Sequence, residues 1–348
     1  MLLTKNAEKT PQTPPWKEVL EPCLERRPRV QGENNSSVNM LCKSLNYHRQ
    51  SGIALIVVLW MLALLTVMAG GYSAMMRTET LLTAHQIHSA QSRALAEAGI
   101  WLAVNELMKP RMDRNWKSDG TAYDVELHGD KMQVSIQDES GKIDLNTARV
   151  ELLHGLLKSA GVSDTQSIEL LHAILDWRDR DNLERKAGAE DNRYRLAGLT
   201  YGAKDGPFNS IDELRLVMGM TEQIFKRIKS ALTIHSHQPG INPTLAPRVS
   251  LMALPGAQTD IIDEYLSTRG DSDSASIPGS IPGIDNRFLT RSQDKTLSIT
   301  SIGRSANSRI KLTAVILFKR NAKPPFSVLS WHEGKPEPGI LKNDEPNT

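Results

Sequence analysis

Cysteine is almost missing: 348 residues hold two, Cys23 and Cys42. Everything after residue 42 is therefore without an internal disulfide, whatever the redox state around it, and its stability has to come from packing or from a bound ion. Charge is missing from one long stretch. Between Arg49 and Arg77 lie 27 positions (77 − 49 − 1) with no Asp, Glu, Lys or Arg. The signatures of common catalytic sites are missing too: there is no Gly-rich phosphate loop ending in Lys-Ser/Thr, no His-Glu-x-x-His and no Gly-x-Ser-x-Gly. His235 and His237 offer two metal ligands without a third and read as exposed loop residues. The chain is not expected to be an enzyme, and no organic cofactor is implied.

The composition that remains is ordinary for a globular protein, with 39% hydrophobic and 24% charged residues. Its charge is informative once divided. Residues 1–52 hold eight Lys or Arg and five Asp or Glu, which leaves 42 − 8 = 34 basic and 40 − 5 = 35 acidic groups beyond them. A net charge of −1 there is a poor footprint for a nucleic-acid binder. The first stretch carries Pro11, Pro14, Pro15, Pro22 and Pro28 among polar residues and reads as unstructured. A start at Met40 would reduce it to the short basic leader "MLCKSLNYHRQSG".

The uncharged run "IALIVVLWMLALLTVMAGGYSAMM" exceeds the roughly 20 apolar residues that a bilayer core requires. Lys43, His48 and Arg49 precede it, so the positive-inside bias keeps the N-terminus cytoplasmic and exports the residues beyond the span. Three readings fit such a segment: a plain signal anchor, a secretory signal cut near Ala69 to Ala74, or a prepilin-like signal cut between a Gly and the first apolar residue. The join "RQSG/IALIVVL" resembles a prepilin processing site and favours the third, with cleavage after Gly52 and a new N-terminus at Ile53.

Beyond the span, helical spacing continues through Ile87, Ala90, Ala94, Ala98, Trp101 and Leu102 until Pro110 stops it. Ile53 to Met108 would form one stem about 80 Å long at 1.5 Å per residue. Strand signals occupy two separate places. "YDVELHGDKMQVSIQDE" reads as a hairpin turning at His128, Gly129 and Asp130; "TLSITSIGR", "RIKLTAVILFKR" and "SVLSW" come much later. A hairpin alone is marginal, so one antiparallel sheet assembled from both places is the economical solution. The intervening residues read as helical: a run after Asn146, whose side chain would cap it, then 164–177, 210–218, 221–232, 246–253 and 258–268. "IDLNTARVELLHGLL" and "INPTLAPRVSLMALPG" echo each other within this part, and "DSDSASIPGSIPGIDN" reads as the loop back to the sheet.

Taken in order, the processing site, "AEAGIWLAVNEL", "DESGKIDLNTA", "ILDWRDRDN", "FNSIDELRLVMGM" and "INPTLAPRVSLMALPG" resemble the K-type minor pseudopilins of bacterial type II secretion systems, over about residues 49 to 318. The resemblance implies an α+β fold: a pilin-like N-terminal helix packed on an antiparallel sheet, with a large, mainly helical, helix-hairpin-helix-like domain inserted between the strands. The expected division is a leader at 1–52, a transmembrane helix at 53–76, stem and first sheet part at 77–144, insert at 145–296, second sheet part at 297–332 and a flexible tail at 333–348. It implies a single-pass inner-membrane protein with a periplasmic head, cut by the prepilin peptidase and N-methylated at Ile53. Its partners would be I-type and J-type minor pseudopilins and the major pseudopilin, in a tip complex that starts the pseudopilus and supports export of folded proteins across the outer membrane. Ordinary pilins carry Glu at the fifth position after the cut; here that position is Val57. A buried N-terminal ammonium is costly unless paired, and a chain with Val57 offers no partner to a neighbour's, which suits the tip rather than the middle of a filament.

The acidic stretch "DWRDRDNLERKAGAED" is the candidate ion site. Asp176, Asp179 and Asp181 lie close together, with Glu190 and Asp191 about ten residues on, and calcium takes six to eight oxygen ligands of this kind. Counted from Asp179, Asp181 and Glu190 fall at EF-hand positions 3 and 12, but Leu183 and Glu184 occupy 5 and 6, so a true EF-hand is not expected. The resemblance implies calcium in the head. The competing reading is a solvated loop whose carboxylates pair with Arg178, Arg180 and Arg185. Two functional alternatives remain from the residues: a membrane-anchored helix-hairpin-helix DNA-binding protein, against which single-Gly turns and surrounding acids weigh, and a minor pilin of a type IV pilus.

Overall fold

The computed structural model describes residues 53–127, 129–271, 279–291, 295–306, 308–319 and 322–334. Met40 and Gly52, the turn residue His128, positions 272–278 of the expected return loop and the tail from 335 lie outside the described residues.

The chain divides into two compact units, Met1–Ala69 and Gly70–Thr348. Helix α1 (Ile53–Met108) opens in the first, where its described residues are all exposed. By length and composition it is a candidate membrane span. Pro110 lies just past its end, and the last turn is closed by Arg114, which donates to the carbonyls of Leu107 (2.6 Å) and Lys109 (3.1 Å), a cation on the negative end of the helix dipole.

In the second unit, strands β1 (Asp119–Leu127) and β2 (Asp130–Asp138) form the expected hairpin, with Leu127 opposite Asp130. After the helical insert come β5 (Thr296–Ser305), β6 (Ser308–Phe318) and β7 (Phe326–Gly334). The sheet is antiparallel in the order β1-β2-β5-β6-β7. Period-two alternation turns Met132, Val134 and Ile136 of β2 and Leu312, Ala314 and Ile316 of β6 to one face. On that face lie Leu95, Ile100, Val104 and Leu107 of α1. The stem thus buries a different stripe from the apolar one that periodicity suggests: Ile87, Ala90, Ala94, Trp101 and Leu102 are exposed. The reason is steric. Helix and strand approach closely at Ser92, Ala96 and Gly303, where a Cβ on Gly303 would run into the Ser92 carbonyl and lie 2.6 Å from the Ala96 nitrogen. Small residues permit that approach, and Ser92 donates to the Ser308 carbonyl at 3.0 Å.

Between β2 and β5 the chain makes a two-residue parallel pair, β3 (Ile143–Asp144) with β4 (Leu232–Thr233), and six further helices among the described residues. α2 (Val150–Ser159), α3 (Asp164–Arg178), α4 (Asp191–Leu196), α5 (Glu222–Ile228), α6 (Arg248–Met252) and α7 (Thr259–Asp271) surround an apolar cluster of their own, with Leu152, Leu156, Leu170, Ile174, Phe225 and Leu251 at its centre. The 210–218 helix is a short 3-10 turn, Ile211–Leu216, and α4 is an addition inside the acidic stretch. Asn146 does not cap α2. Its amide instead bridges both backbone groups of Phe208 (3.0 and 2.7 Å), while buried Asp144 takes the N–H groups of Asn146 (2.9 Å) and Thr147 (3.1 Å). Asn242 does the same for Thr244 at 3.1 Å, so the echo between the two sequence segments is a repeated turn on a buried Asx side chain.

Gly303→Val is expected to lower stability by about 2–4 kcal/mol through overpacking. Chemical unfolding followed by circular dichroism measures it, with Gly334→Val, which has open space around it, staying within about 0.5 kcal/mol of wild type.

Candidate metal centre

The acidic stretch leaves the end of α3, loops past α4 and returns at Asp205. Asp176, in the last turns of α3, is fully buried. Its Oδ1 accepts from the Arg185 guanidinium (2.5 Å) and its Oδ2 from the backbone of Ala189 (2.9 Å) and Arg185 (3.3 Å). Gly188 closes over it; a Cβ there would strike Asp176 Oδ2. Asp179, at the C-terminus of the helix, shares the same Arg185 nitrogen through Oδ2 at 2.5 Å, and its Oδ1 is buried with no hydrogen-bond partner.

Glu190 stands just before α4 and is 3% exposed, yet neither of its carboxylate oxygens has a partner. Burial, then the charges of Asp176, Asp205, Asp179 and Asp191, push its pKa up to about 7. Asp191 opens α4, half-buried, with Gly202 pressed against its carboxylate. Asp205 holds a left-handed backbone (φ 52°), its Oδ1 is buried and unpartnered, and burial with the neighbouring acids raises its pKa. Asp181 is exposed and caps its own turn through the Leu183 N–H at 3.1 Å.

The fold therefore brings Asp176, Asp179, Glu190 and Asp191 together, adds Asp205, and leaves Asp181 at the rim. Asp205 escapes a reading of the sequence because 13 residues (205 − 191 − 1) separate it from the acidic run; Gly206 after it is a local hint of a turn. Of the three arginines set against these acids, only Arg185 pairs with them. Arg178 donates to the carbonyls of Leu145 (2.6 Å) and Ala148 (3.5 Å) instead, and exposed Arg180 makes no ion pair among the described residues. One guanidinium against five carboxylates is an uncompensated burial, and buried charges elsewhere are paired or coordinate metals.

The donor set suits a hard cation. All five groups are carboxylates, and three of them offer buried oxygens that make no other bond. Among the described residues no group of three or more His, Cys, Asp or Glu is gathered tightly enough to hold an ion as it stands. The two histidines considered above take no part. His235 is half-buried, where burial lowers its pKa, and the backbone of His237 donates to Asp144 at 2.8 Å.

The hairpin turns that raised a DNA-binding reading are internally satisfied. At Gly256 the Ala257 N–H donates to the Leu254 carbonyl at 2.9 Å. The helix after Gly219 is capped by Thr221 and opens with Glu222, and the one after Gly256 has Asp260 in its first turn, acids where a phosphate would have to sit. Ile53 is the first described residue, and Val57 lies exposed one turn beyond it.

A single apolar helix continuing into an α+β head, with a helical insert between its strands, defines a pilin-like subunit with a candidate membrane anchor. A family model described as "Type II secretion system (T2SS), protein K" matches residues 132–237. Type II secretion system protein K of Klebsiella pneumoniae is 26% identical over 230 residues, 59% of this chain and 70% of the relative. The protein of the same name from Pseudomonas aeruginosa is 26% identical over 241 residues, 62% and 72% of the two chains. A chain in the crystal structure of the GspK-GspI-GspJ complex from enterotoxigenic Escherichia coli shares the fold, with a TM-score of 0.52 at 17% identity, over 75% of this chain and 99% of that one. Over part of its length the chain is similar to protein K of type II secretion systems.

In calcium-free buffer, Glu190 binds a proton in the folded head that the unfolded chain has already released, over the window from about pH 4.5 to 7. Its contribution therefore becomes destabilising as pH rises through that window, by on the order of 2–3 kcal/mol at the top. Glu190→Gln removes this penalty, so the stability difference between variant and wild type is expected to grow from pH 4.5 to 7.5; equilibrium urea unfolding at each pH measures it.

Proposed function

We propose that the protein is the tip subunit of a type II secretion pseudopilus. It is made as a precursor in the inner membrane, cut after Gly52, N-methylated at Ile53, and joined in the periplasm to I-type and J-type minor pseudopilins to start the filament that the major pseudopilin extends. The observation that carries the tip position is Val57. With an apolar side chain at the fifth residue after the cut, the helix offers no carboxylate to the buried ammonium of a neighbouring subunit, an interaction that every repeating position would need. Support comes from the insert, which adds 157 residues (296 − 138 − 1) between β2 and β5 and gives the head a bulk that regular stacking would have to accommodate. The E. coli chain that shares the fold was crystallised with GspI and GspJ.

Calcium is the ion that this reading assigns to the acidic cluster. Glu190, Asp205, Asp191 and the free oxygen of Asp179 would hold it, with Asp176 kept in place by Arg185 and the backbone. When bound, it supplies two positive charges to a cluster with one guanidinium. The residues of the chain do the rest: Gly188 lets the loop close over Asp176, and the left-handed turn at Asp205 brings the fifth carboxylate back to the others.

Two measurements test these assignments. Intact-mass and N-terminal peptide analysis, from cells with and without the prepilin peptidase, is expected to find methylated Ile53 only in the first; an uncut chain, or a cut near Ala69 to Ala74, would overturn the assignment. Calcium is expected to raise the melting temperature of the protein by roughly 5–10 °C, and Glu190→Gln and Asp205→Asn are expected to abolish most of that shift.

A further inference from the structure

The outer surface of the acidic loop has a composition at odds with its interior. Twelve large hydrophobic side chains beyond the stem are exposed among the described residues, and five of them, Leu183, Leu196, Leu199, Tyr201 and Leu216, fall between residues 183 and 216. Leu196 is 86% exposed, and nothing in the folding of the insert requires a leucine there.

Four of these side chains lie around the end of α4, Leu196, Leu199 and Tyr201 within six residues of sequence and Leu216 joined to them through Tyr201. After α4 the chain closes a left-handed turn at Gly198, with Gly198 donating to Arg195 and Leu199 to Tyr194 (both 3.0 Å). This turn carries the Leu199 backbone back over the last turn of α4. The Tyr194 ring lies 5.7 Å from that of Tyr201, whose hydroxyl donates to the Leu216 carbonyl at 3.3 Å. Tyr194 itself is buried, and its hydroxyl takes the Met218 N–H at 3.0 Å. Leu196 sits one helical turn beyond Arg193, and Arg193, Met218, Leu170, Ala187 and Gly188 line a pocket of about 200 Å³. Through Arg193, the helix that ends in Leu196 thus adjoins a recess of side-chain size, whose lining also includes Glu169.

The charges around it are sorted by depth. Asp176 and Glu190 are buried and Asp179, Asp191 and Asp205 half-buried, all turned toward the cluster. The fully exposed charges from residue 180 to 215 are five bases (Arg180, Lys186, Arg193, Arg195, Arg215) and three acids (Asp181, Glu184, Asp212). Glu184 is held by Arg193 at 3.5 Å and Asp212 by Arg215 at 2.5 Å, while Lys186 and Arg195 make no ion pair among the described residues. Among the exposed charges of this stretch that are left without an ion pair, Arg180, Lys186 and Arg195 thus outnumber Asp181.

We infer that this face is a docking surface for a segment of another protein that carries leucine-like side chains flanked by carboxylates. The apolar side chains cover Leu196, Leu199, Tyr201 and Leu216, one of them enters the recess beside Arg193, and the carboxylates meet Arg195 and Lys186. An exposed apolar patch rimmed by polar groups is the usual mark of a protein interface, and charge complementarity at the rim selects the partner. The inference rests on the patch and its rim, and stands apart from the tip position and from the identity of the ion.

The test uses the full chain in lipid nanodiscs with calcium chloride present throughout, and empty nanodiscs as the blank. Two fluorescent amphipathic peptides are titrated by anisotropy, one alternating Leu with Glu and the other identical with Lys for Glu. The Glu peptide is expected to bind about ten-fold more tightly than the Lys peptide. Leu196→Ser and Tyr201→Ser are each expected to weaken it by about ten-fold, Leu196→Met to leave it unchanged, and Arg195→Glu to erase the preference between peptides. Circular dichroism of each variant checks that the insert is intact. Absence of binding, equal binding of the two peptides, or binding indifferent to Leu196 and Tyr201 would each overturn the inference.

Discussion

The pairing of β2 with β5 is the constraint on which the head depends. Eight residue pairs, from Lys131 opposite Arg304 to Asp138 opposite Leu297, hold two segments that are 158 residues apart at the closed end (297 − 138 − 1). Closing a loop of that length costs about 4–5 kcal/mol of chain entropy, more than a few backbone hydrogen bonds return. The cost is offset on both sides of the junction. On one side α1 covers β2, β5 and β6 through Leu95, Ile100, Val104 and Leu107. On the other, buried Glu139 just after β2 pairs with Lys142 at 2.6 Å, and Lys142 reaches Ser298 of β5 at 3.1 Å. A close ion pair with its remaining bonds made is the condition under which burying both charges is tolerated. The insert can then be an independent apolar body, since its two ends are fixed before its own core is considered.

The two ion-rich places in the head resolve burial in opposite ways. At Glu139 the pair is complete, and although burial opposes ionisation, the Lys142 charge and the hydrogen bonds hold its pKa below the usual range. Glu139 thus stabilises the fold above the unfolded value, and that stabilisation is lost as pH falls through the lowered one. At Glu190 no cation and no donor arrives, and the pKa moves the other way. Similar side chains, both nearly excluded from water, differ only in what faces them. The contrast separates a finished structural ion pair from a site that has a charge left to neutralise.

Much of this is legible in the chain. Alternation locates β2 because one of its faces, Met132, Val134 and Ile136, is buried, and the uncharged run marks the start of α1 because nothing else in the sequence resembles it. The limits of α3 are readable from Ser163, which caps it, and from the apolar residues after it. Three features are not legible. The buried stripe of the stem mixes Leu95, Ile100, Val104 and Leu107 with small Ser92, Ala96, Gly99 and Ala103, which interrupt its hydrophobic signal, while Ile87, Trp101 and Leu102 stay exposed. Asn146 has the chemistry of a cap, but α2 starts only at Val150 without a side-chain cap, and the Asn146 amide is used on the backbone of Phe208. The acidic cluster needs Asp205, which only the fold brings back, and α4 is hidden because Arg and Asp dominate its six residues.

The cysteine-free head has no covalent means to hold the 176–205 loop, and its apolar core, the cluster that packs α2 to α7, meets the loop at a few points, Trp177, Ala189 and Tyr194. Between those anchors lies charge. If the five carboxylates stay uncompensated, the loop gains from opening to water; if a divalent cation joins them, the same groups become its strongest tie. On the reading proposed above, completion of the insert is then coupled to the ion content of the compartment that receives it. The leucines and arginines on the outside of the loop would share that dependence, because Tyr194 and the turn at Gly198 connect them to Glu190 through a single six-residue helix.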